Sequence, residues 1–259
     1  MKPNPSPVIE MIGVTILSRR APDQVAVADV DWTVAREDFW VIGGLQGSGK
    51  SDLLATAAAL VKPEAGTYRL FGQEIMPTYD NECLAERLRV ALVFGDGGRL
   101  FNHLTVEENV ALPLRYHHPD SSVAQARVDA LLDTTETADF RGAVPSDINP
   151  SRRQRVALAR ALALKPEVLL LDNPLASLDP RQTRWWIDLL DQLAAGHPLM
   201  DGQPMTIVVA VDDLRSWQQP QRKFALLEET RFTVLNDPSA LATHPPVWRE
   251  LLAAESNPS

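Results

Sequence analysis

The sequence predicts an α/β protein with a largely parallel sheet, and three observations support this prediction. An apolar run at 39–42 leads into a glycine-rich loop and then into a segment with helical character. A continuous apolar stretch at 168–172 ends in a carboxylate, which is typical of a central parallel strand. A helical pattern at 181–194 and a strand pattern at 206–211 follow it. Such alternation indicates a doubly wound sheet.

The other elements follow from hydrophobic periodicity and from turn residues. The segment 151–164 is rich in Ala, Leu and Arg and stops before a proline, which indicates a helix. After residue 236 we expect a short helix and a disordered end. The further predicted elements are strands at 8–17, 25–34, 66–72 and 89–94 and helices at 106–114 and 123–132.

Length and charge limit the function classes. The chain has 259 residues, enough for one large α/β domain with an inserted subdomain. Its net charge of −9 argues against nucleic acid as a partner, because a phosphate-backbone binder needs a basic surface. Cys83 is the only cysteine, which excludes an internal disulfide. The apolar runs are far shorter than the ~20 residues of a membrane helix, so we expect a soluble cytoplasmic protein.

Residues 44–51 match the phosphate-binding motif G-x-x-x-x-G-K-[ST], with the strand and the helix that the motif requires on either side. The glycines let backbone N–H groups surround a phosphate at a helix N-terminus. Lys50 reaches the β- and γ-phosphates, and the Ser51 hydroxyl binds Mg²⁺. The sequence therefore predicts a P-loop NTPase. The expected nucleotide-binding residues are Gly44, Leu45, Gln46, Gly47, Ser48, Gly49, Lys50 and Ser51.

Further motifs follow this loop in a fixed order. They are LFNHLTVEENVALPL at 100–114, RQRVALARAL at 153–162, LLLDNP at 169–174 and SLD at 177–179. In content, order and spacing the chain resembles the ATP-binding subunit of ABC transporters, especially the bacterial importer and lipid-transport branches. The resemblance covers residues 8 to about 235 and is more specific than the loop alone, because several motifs must coincide.

The resemblance implies one ABC-type domain across residues 1–259. Its fold would be a RecA-like parallel sheet core with an antiparallel β layer and an inserted helical subdomain. The core would comprise about 8–94 and 165–235, the helical subdomain about 95–164 and the tail 236–259.

The resemblance also implies ligands and partners. ATP and Mg²⁺ would be the cofactors, with Ser51 and Asp172 as metal ligands. The chain would dimerise with a second copy or with another ABC ATPase, and Asn149, Ser151 and Asp179 would make contacts across that dimer. It would dock on a transmembrane permease subunit at the inner face of the cell membrane.

Five positions depart from the family pattern. Asn173 stands at the position of the catalytic glutamate, and its amide cannot accept a proton from water, which removes general-base help of roughly 10²–10⁴-fold. Asp212 aligns with the switch histidine, and Gly95 replaces a glutamine that reaches the metal or water. Pro150 removes a backbone N–H from the signature turn. Ile16 takes the place of an aromatic residue that stacks on adenine, so we expect a weaker aliphatic contact with the base there.

These departures favour a subunit that binds Mg·ATP and hydrolyses it weakly or not at all. The alternative is a non-catalytic scaffold or nucleotide sensor. A third hypothesis keeps an active ATPase in which Asp212 or Asp213 serves as the base. An alignment shift of one or two residues is an alternative at Asp212 and Ile16. Asn173 is fixed by its two neighbours.

Overall fold

The computed structural model describes residues 7–75, 83–95, 99–117 and 124–235. The expected helix and disordered end after residue 236 lie outside these ranges. The strands are β1 (Pro7–Leu17), β2 (Val25–Ala35), β3 (Phe39–Gly43), β4 (Ala65–Leu70), β5 (Gln73–Glu74), β6 (Val90–Val93), β7 (Val168–Asp172), β8 (Thr206–Val211), β9 (Lys223–Glu228) and β10 (Arg231–Leu235). The helices are α1 (Lys50–Ala57), α2 (Leu84–Leu88), α3 (Val106–His117), α4 (Ala124–Thr134), α5 (Pro150–Leu162) and α6 (Pro180–Ala195).

The chain forms two compact units, and the division between them in the sequence falls within the residues of α2. The first unit comprises residues up to 86 together with those from 206, and the second comprises 87–205. The sequence-based division assigned β6, β7 and α6 to the core, whereas these elements lie in the second unit here. That division stays a prediction.

The strands of the first unit run in the order β5-β4-β1-β2-β10-β9-β3-β8. β1 pairs antiparallel with β2 and β4, whereas β3 pairs parallel with β8 and β9. Every residue of β3 and β8 is buried, as expected for parallel strands that are covered on both faces. α1 packs against β1, β2 and β8. The predicted parallel sheet and antiparallel layer are therefore confirmed.

The second unit combines a parallel strand pair with helices. β6 pairs with β7 from Val90 opposite Val168 to Val93 opposite Leu171. α3 packs against α4 and α5, and α5 packs against β6. The predicted helices are present here. Only the last residue of β6 is buried, so this strand is more exposed than its apolar sequence predicts.

The structure also bears on membrane insertion. Within the described ranges, none of the helices combines the length and the apolar character that a membrane crossing requires.

Candidate functional site

The phosphate-binding loop lies in the first unit, between the end of β3 and the start of α1. The Gly44 N–H donates to the carbonyl oxygen of Val211 at 3.1 Å, which ties the loop to the end of β8. A Cβ at Gly44 would lie 2.6 Å from the carbonyl oxygen of Leu227. Gly49 has a φ of 97°, and a Cβ there would lie 2.7 Å from the Ala26 carbonyl oxygen. The backbone approaches this loop so closely that these two positions require glycine.

The Lys50 ammonium group lies within the loop. Its side chain is buried, and Nζ donates to the carbonyl oxygens of Gly44 at 2.5 Å and Leu45 at 2.7 Å. The Ser48 hydroxyl accepts a longer bond at 3.5 Å. These bonds hold the ammonium group within the loop, where the motif places the lysine that contacts a phosphate.

Two acidic residues follow β8 in the same unit. Asp212 is exposed and comes directly after Val211, the residue that accepts the bond from the loop. The Asp213 carboxylate accepts two bonds from Arg215 Nε at 2.9 Å and a further one from Nη2. Partial burial would raise the pKa of the Asp213 carboxyl, but the bonds from Arg215 hold that pKa below its ordinary value. Asp213 is therefore a weak base.

The second unit contains the predicted metal ligand and the residue after it. Asp172 is the last residue of β7, and Asn173 has a φ of 48°. This left-handed conformation is one that asparagine adopts more readily than most residues. A Cβ added at Gly95 would lie 2.8 Å from the carbonyl oxygen of Asp172. The close backbone approach explains the glycine at a position where the family pattern has a long side chain.

The helix α5 begins with the altered signature turn. Asn149 is its N-cap, and Oδ1 accepts a bond from the Arg152 N–H at 2.9 Å. Pro150 occupies the first helical turn, where an N–H has no partner within the helix, so the fold tolerates the missing donor. The Ser151 hydroxyl donates to Gln182 Oε1 at 2.7 Å. Both predicted contact residues of this turn therefore have partners within the unit.

Asp179 also has a local role. It is the N-cap of α6, and its Oδ1 accepts from the N–H groups of Arg181 and Gln182, each at 2.9 Å. The carboxylate satisfies two backbone donors of the first turn and complements the helix dipole. The proposed contact across a dimer would come in addition to this cap.

The expectation for Ile16 is wrong. Its side chain is 0% exposed, because β1 turns it into the core where it pairs with Val27 of β2. It therefore cannot supply the aliphatic contact to a base that the family alignment suggested.

The sequence reasoning also missed an ion pair between Arg19 and Asp52 beside the loop. Periodicity gave no signal for it, because the two residues are far apart in sequence.

These features define a P-loop nucleotide-binding protein: the glycine loop has close backbone contacts, a buried lysine lies inside it, and parallel strands lie beside it. The chain belongs to the ABC transporter family, whose profile matches residues 27–176.

Several relatives are similar over most of the chain. The sulfate/thiosulfate import ATP-binding protein CysA of Mycolicibacterium paratuberculosis is 32% identical over 230 residues, which cover 88% of this chain and 59% of the relative. The spermidine/putrescine import ATP-binding protein PotA of Chromobacterium violaceum is 32% identical over 228 residues, with coverages of 88% and 60%. A probable CysA of Chlorella vulgaris is 36% identical over 207 residues, with coverages of 78% and 80%. The chain spans about three fifths of the length of the first two relatives.

A solved structure supports the same assignment. The ATP-binding cassette MJ0796, determined as a dimer in a post-hydrolysis state with ADP and phosphate, superimposes with a TM-score of 0.76 at 26% identity. The match covers 86% of this chain and 95% of that one.

Proposed function

We propose that the chain is the nucleotide-binding subunit of an importer-type ABC transporter. The family membership and the names of the relatives, which are import ATP-binding proteins, support this proposal. Residues 44–51 would hold the phosphates of ATP, and Lys50 would contact the β- and γ-phosphates. Bound Mg²⁺ would neutralise negative charge on the phosphates.

Ser51 and Asp172 are the proposed Mg²⁺ ligands, as the family resemblance implies. Ser51 follows Lys50 in the first turn of α1, and Asp172 ends β7. Within the described ranges, no group of three or more His, Cys, Asp or Glu residues could hold a metal by itself. A Mg²⁺ ion bound to a nucleotide takes only one or two protein oxygens, because phosphate oxygens and water complete its coordination.

We further propose that hydrolysis is weak or absent, and the residue after Asp172 carries this proposal. An attacking water must lose a proton, and Asn173 offers an amide that cannot take it at neutral pH. Gly95 has no side chain to orient that water or the metal. Asp213 is engaged by Arg215, which lowers its pKa and weakens the hypothesis that it substitutes as the base.

The proposed assembly is a dimer docked on a transmembrane permease subunit at the cytoplasmic face of the membrane. The partner in the dimer would be a second copy or another ABC ATPase. The dimeric state of the related cassette supports this proposal. Asn149, Ser151 and Asp179 would lie at the dimer contact, on the N-terminal turns of α5 and α6.

A non-catalytic scaffold or nucleotide sensor is the second candidate. Asp212 favours it, because a carboxylate in place of the switch histidine cannot donate a hydrogen bond to a γ-phosphate.

Sedimentation velocity with Mg·ATP tests the proposed assembly. Because hydrolysis is slow, an ATP-held dimer should accumulate with the unmodified chain but not with Lys50→Ala. A chain that binds ATP and stays monomeric would exclude the homodimer and leave the pairing with another ATPase. A chain that fails to bind ATP would refute the transporter proposal itself.

A further inference from the structure

Two side-chain contacts connect the N-terminal turns of α5 and α6 in the second unit. The Ser151 hydroxyl of α5 donates to Gln182 Oε1 of α6 at 2.7 Å. About one turn further along both helices, Cζ of Arg155 lies 3.7 Å from the centroid of the Trp185 ring. Residues three or four apart in a helix share a face, so each helix presents both of its contact residues on one side. These four residues form a two-point contact, the α5–α6 latch.

Arg155 is held on two sides. Its side chain is buried, and Nη1 donates to the carboxylate of Glu136 in the turn after α4. Guanidinium N–H groups lie in the plane of the group, so this bond uses an edge and leaves a flat face for Trp185. A cation over an aromatic ring is held more strongly when it is buried, because water competes less for it. The contact with Trp185 therefore stabilises the pairing of the two helices together with the hydrogen bond.

The two helices have little other connection. Among the described elements, α5 packs closely against α3, α4 and β6 but not against α6. The latch therefore sets the relative position of the two turns through side chains rather than through close backbone packing. One contact alone would let a helix end rotate about it, whereas two contacts a turn apart fix both distance and orientation.

The latch joins two turns that begin with polar caps. Asn149 is the N-cap of α5, and Asp179 is the N-cap of α6. The Gln182 N–H donates to the Asp179 carboxylate at 2.9 Å, while its side chain accepts the bond from Ser151. Gln182 thus binds its own cap through the backbone and the other helix through its side chain. If Asn149 and Asp179 lie at a dimer contact, as proposed above, the latch presents them to the partner as one rigid surface.

We infer that the α5–α6 latch fixes the N-terminal turn of α5 relative to that of α6. Gln182 and Trp185 are then positioning residues for the turn that begins at Asn149. The latch goes beyond the proposed function, because it is present in the chain without nucleotide. Its removal should release the two turns locally, since the rest of α5 keeps its packing against α3, α4 and β6.

The test is hydrogen exchange of the full chain without nucleotide, followed by mass spectrometry of peptides from the two turns. Ser151→Ala and Gln182→Ala each remove one partner of the same hydrogen bond. Each should raise exchange about three- to tenfold in both turns, including the turn of the helix that was not substituted. The double variant should show no larger increase than either single change, because both changes break the same bond.

Further variants supply the controls. Gln182→Glu keeps an oxygen that accepts from Ser151 and should exchange like the unmodified chain. Gln192→Ala is the matched control, because Gln192 is an exposed glutamine of the same helix outside the latch. Gln182→Ala combined with Trp185→Leu removes both contacts and should raise exchange in the turn of α5 about two- to fivefold further. Exchange in β7 should stay unchanged in every variant, because only local opening is affected.

Several results would overturn the inference. An increase confined to the substituted helix would show that each turn opens by itself. Additive increases in the double variant of Ser151 and Gln182 would show that these side chains do not act as a pair. Unchanged exchange after removal of both contacts would show that packing elsewhere fixes the turns, and an equal increase in β7 would indicate a general loss of stability. Failure of the proposed ATP-held dimer would leave these results intact, because the measurement uses no nucleotide.

Discussion

The Gly44 N–H donates to the carbonyl oxygen of Val211 at 3.1 Å, which joins the first residue of the phosphate loop to the last residue of β8. Asp212, the next residue, therefore lies beside the loop. A carboxylate close to a phosphate repels it unless the carboxylate is protonated or a metal screens the two charges. We therefore expect Asp212 to oppose the binding of a nucleotide in this loop.

The substitution Asp212→Asn should tighten ATP binding. The change removes one negative charge beside the loop with little change in shape, and we expect a gain of roughly three- to tenfold at low salt. Calorimetric titration with Mg·ATP measures it. Glu74→Gln is the control, because β5 lies at the opposite edge of the sheet of this unit from β8. Weaker binding after Asp212→Asn would contradict this account, because it would mean that the carboxylate helps to hold the nucleotide. A titration without metal would then show whether the carboxylate acts through Mg²⁺.

The substitution Asn173→Glu should raise the rate of phosphate release from ATP. A carboxylate at this position can accept the proton of the attacking water, and we expect a gain of at least about tenfold out of the roughly 10²–10⁴-fold that general-base catalysis supplies. The left-handed backbone at this residue should cost glutamate about 1 kcal/mol of stability. Asn173→Gln matches its length without a base and should show no gain. A folded, ATP-binding Asn173→Glu variant with an unchanged rate would show that the missing base does not limit turnover.

The substitution Gly95→Ala should destabilise the chain. Its Cβ would meet the carbonyl oxygen of Asp172 at 2.8 Å, and a backbone atom cannot move aside as a flexible side chain can. We expect a loss of about 2 kcal/mol, or ~4–8 °C in melting temperature. Gly142→Ala is the matched control, because a Cβ there meets nothing within 4 Å. Equal melting temperatures for the two variants would contradict the steric account of Gly95.

The substitution Asp179→Ala should destabilise the isolated chain through the loss of a helix cap. The carboxylate accepts two backbone N–H groups at the start of α6, and removal of such a cap costs about 1 kcal/mol. Asp179→Asn retains a capping oxygen and should recover most of the loss. Urea unfolding of the monomer measures both variants. If Asp179→Ala is as stable as the unmodified chain, the cap seen here contributes nothing.

Much of the fold was predictable because its signals are local. The phosphate loop is recognised from the spacing of its glycines, lysine and serine. β8 and α6 have the apolar patterns of a buried strand and an amphipathic helix. The hypothesis that Asn173 replaces the catalytic base also comes from sequence, since its neighbours fix its position in the motif. These features depend on residues that are close together in the chain.

The features that sequence reasoning missed depend on contacts between distant segments. Arg19 meets Asp52 only because β1 and α1 come together, and neither residue carries a periodic signal. The burial of Ile16 depends on how β1 pairs with β2. The sequence patterns predicted both strands but not the register between them. The reason for glycine at position 95 is the backbone of Asp172, which no pattern in the sequence reveals.

The most direct test of the central claim combines ATP binding with phosphate release on the same purified protein. The unmodified chain should bind Mg·ATP and release little phosphate, whereas Lys50→Ala, which removes the ammonium inside the loop, should lose most of the binding. Rapid phosphate release that disappears in Lys50→Ala would contradict the claim that the chain holds a triphosphate without an effective base to cleave it. Failure of the unmodified chain to bind ATP at any magnesium concentration would contradict the claim that it holds the triphosphate at all.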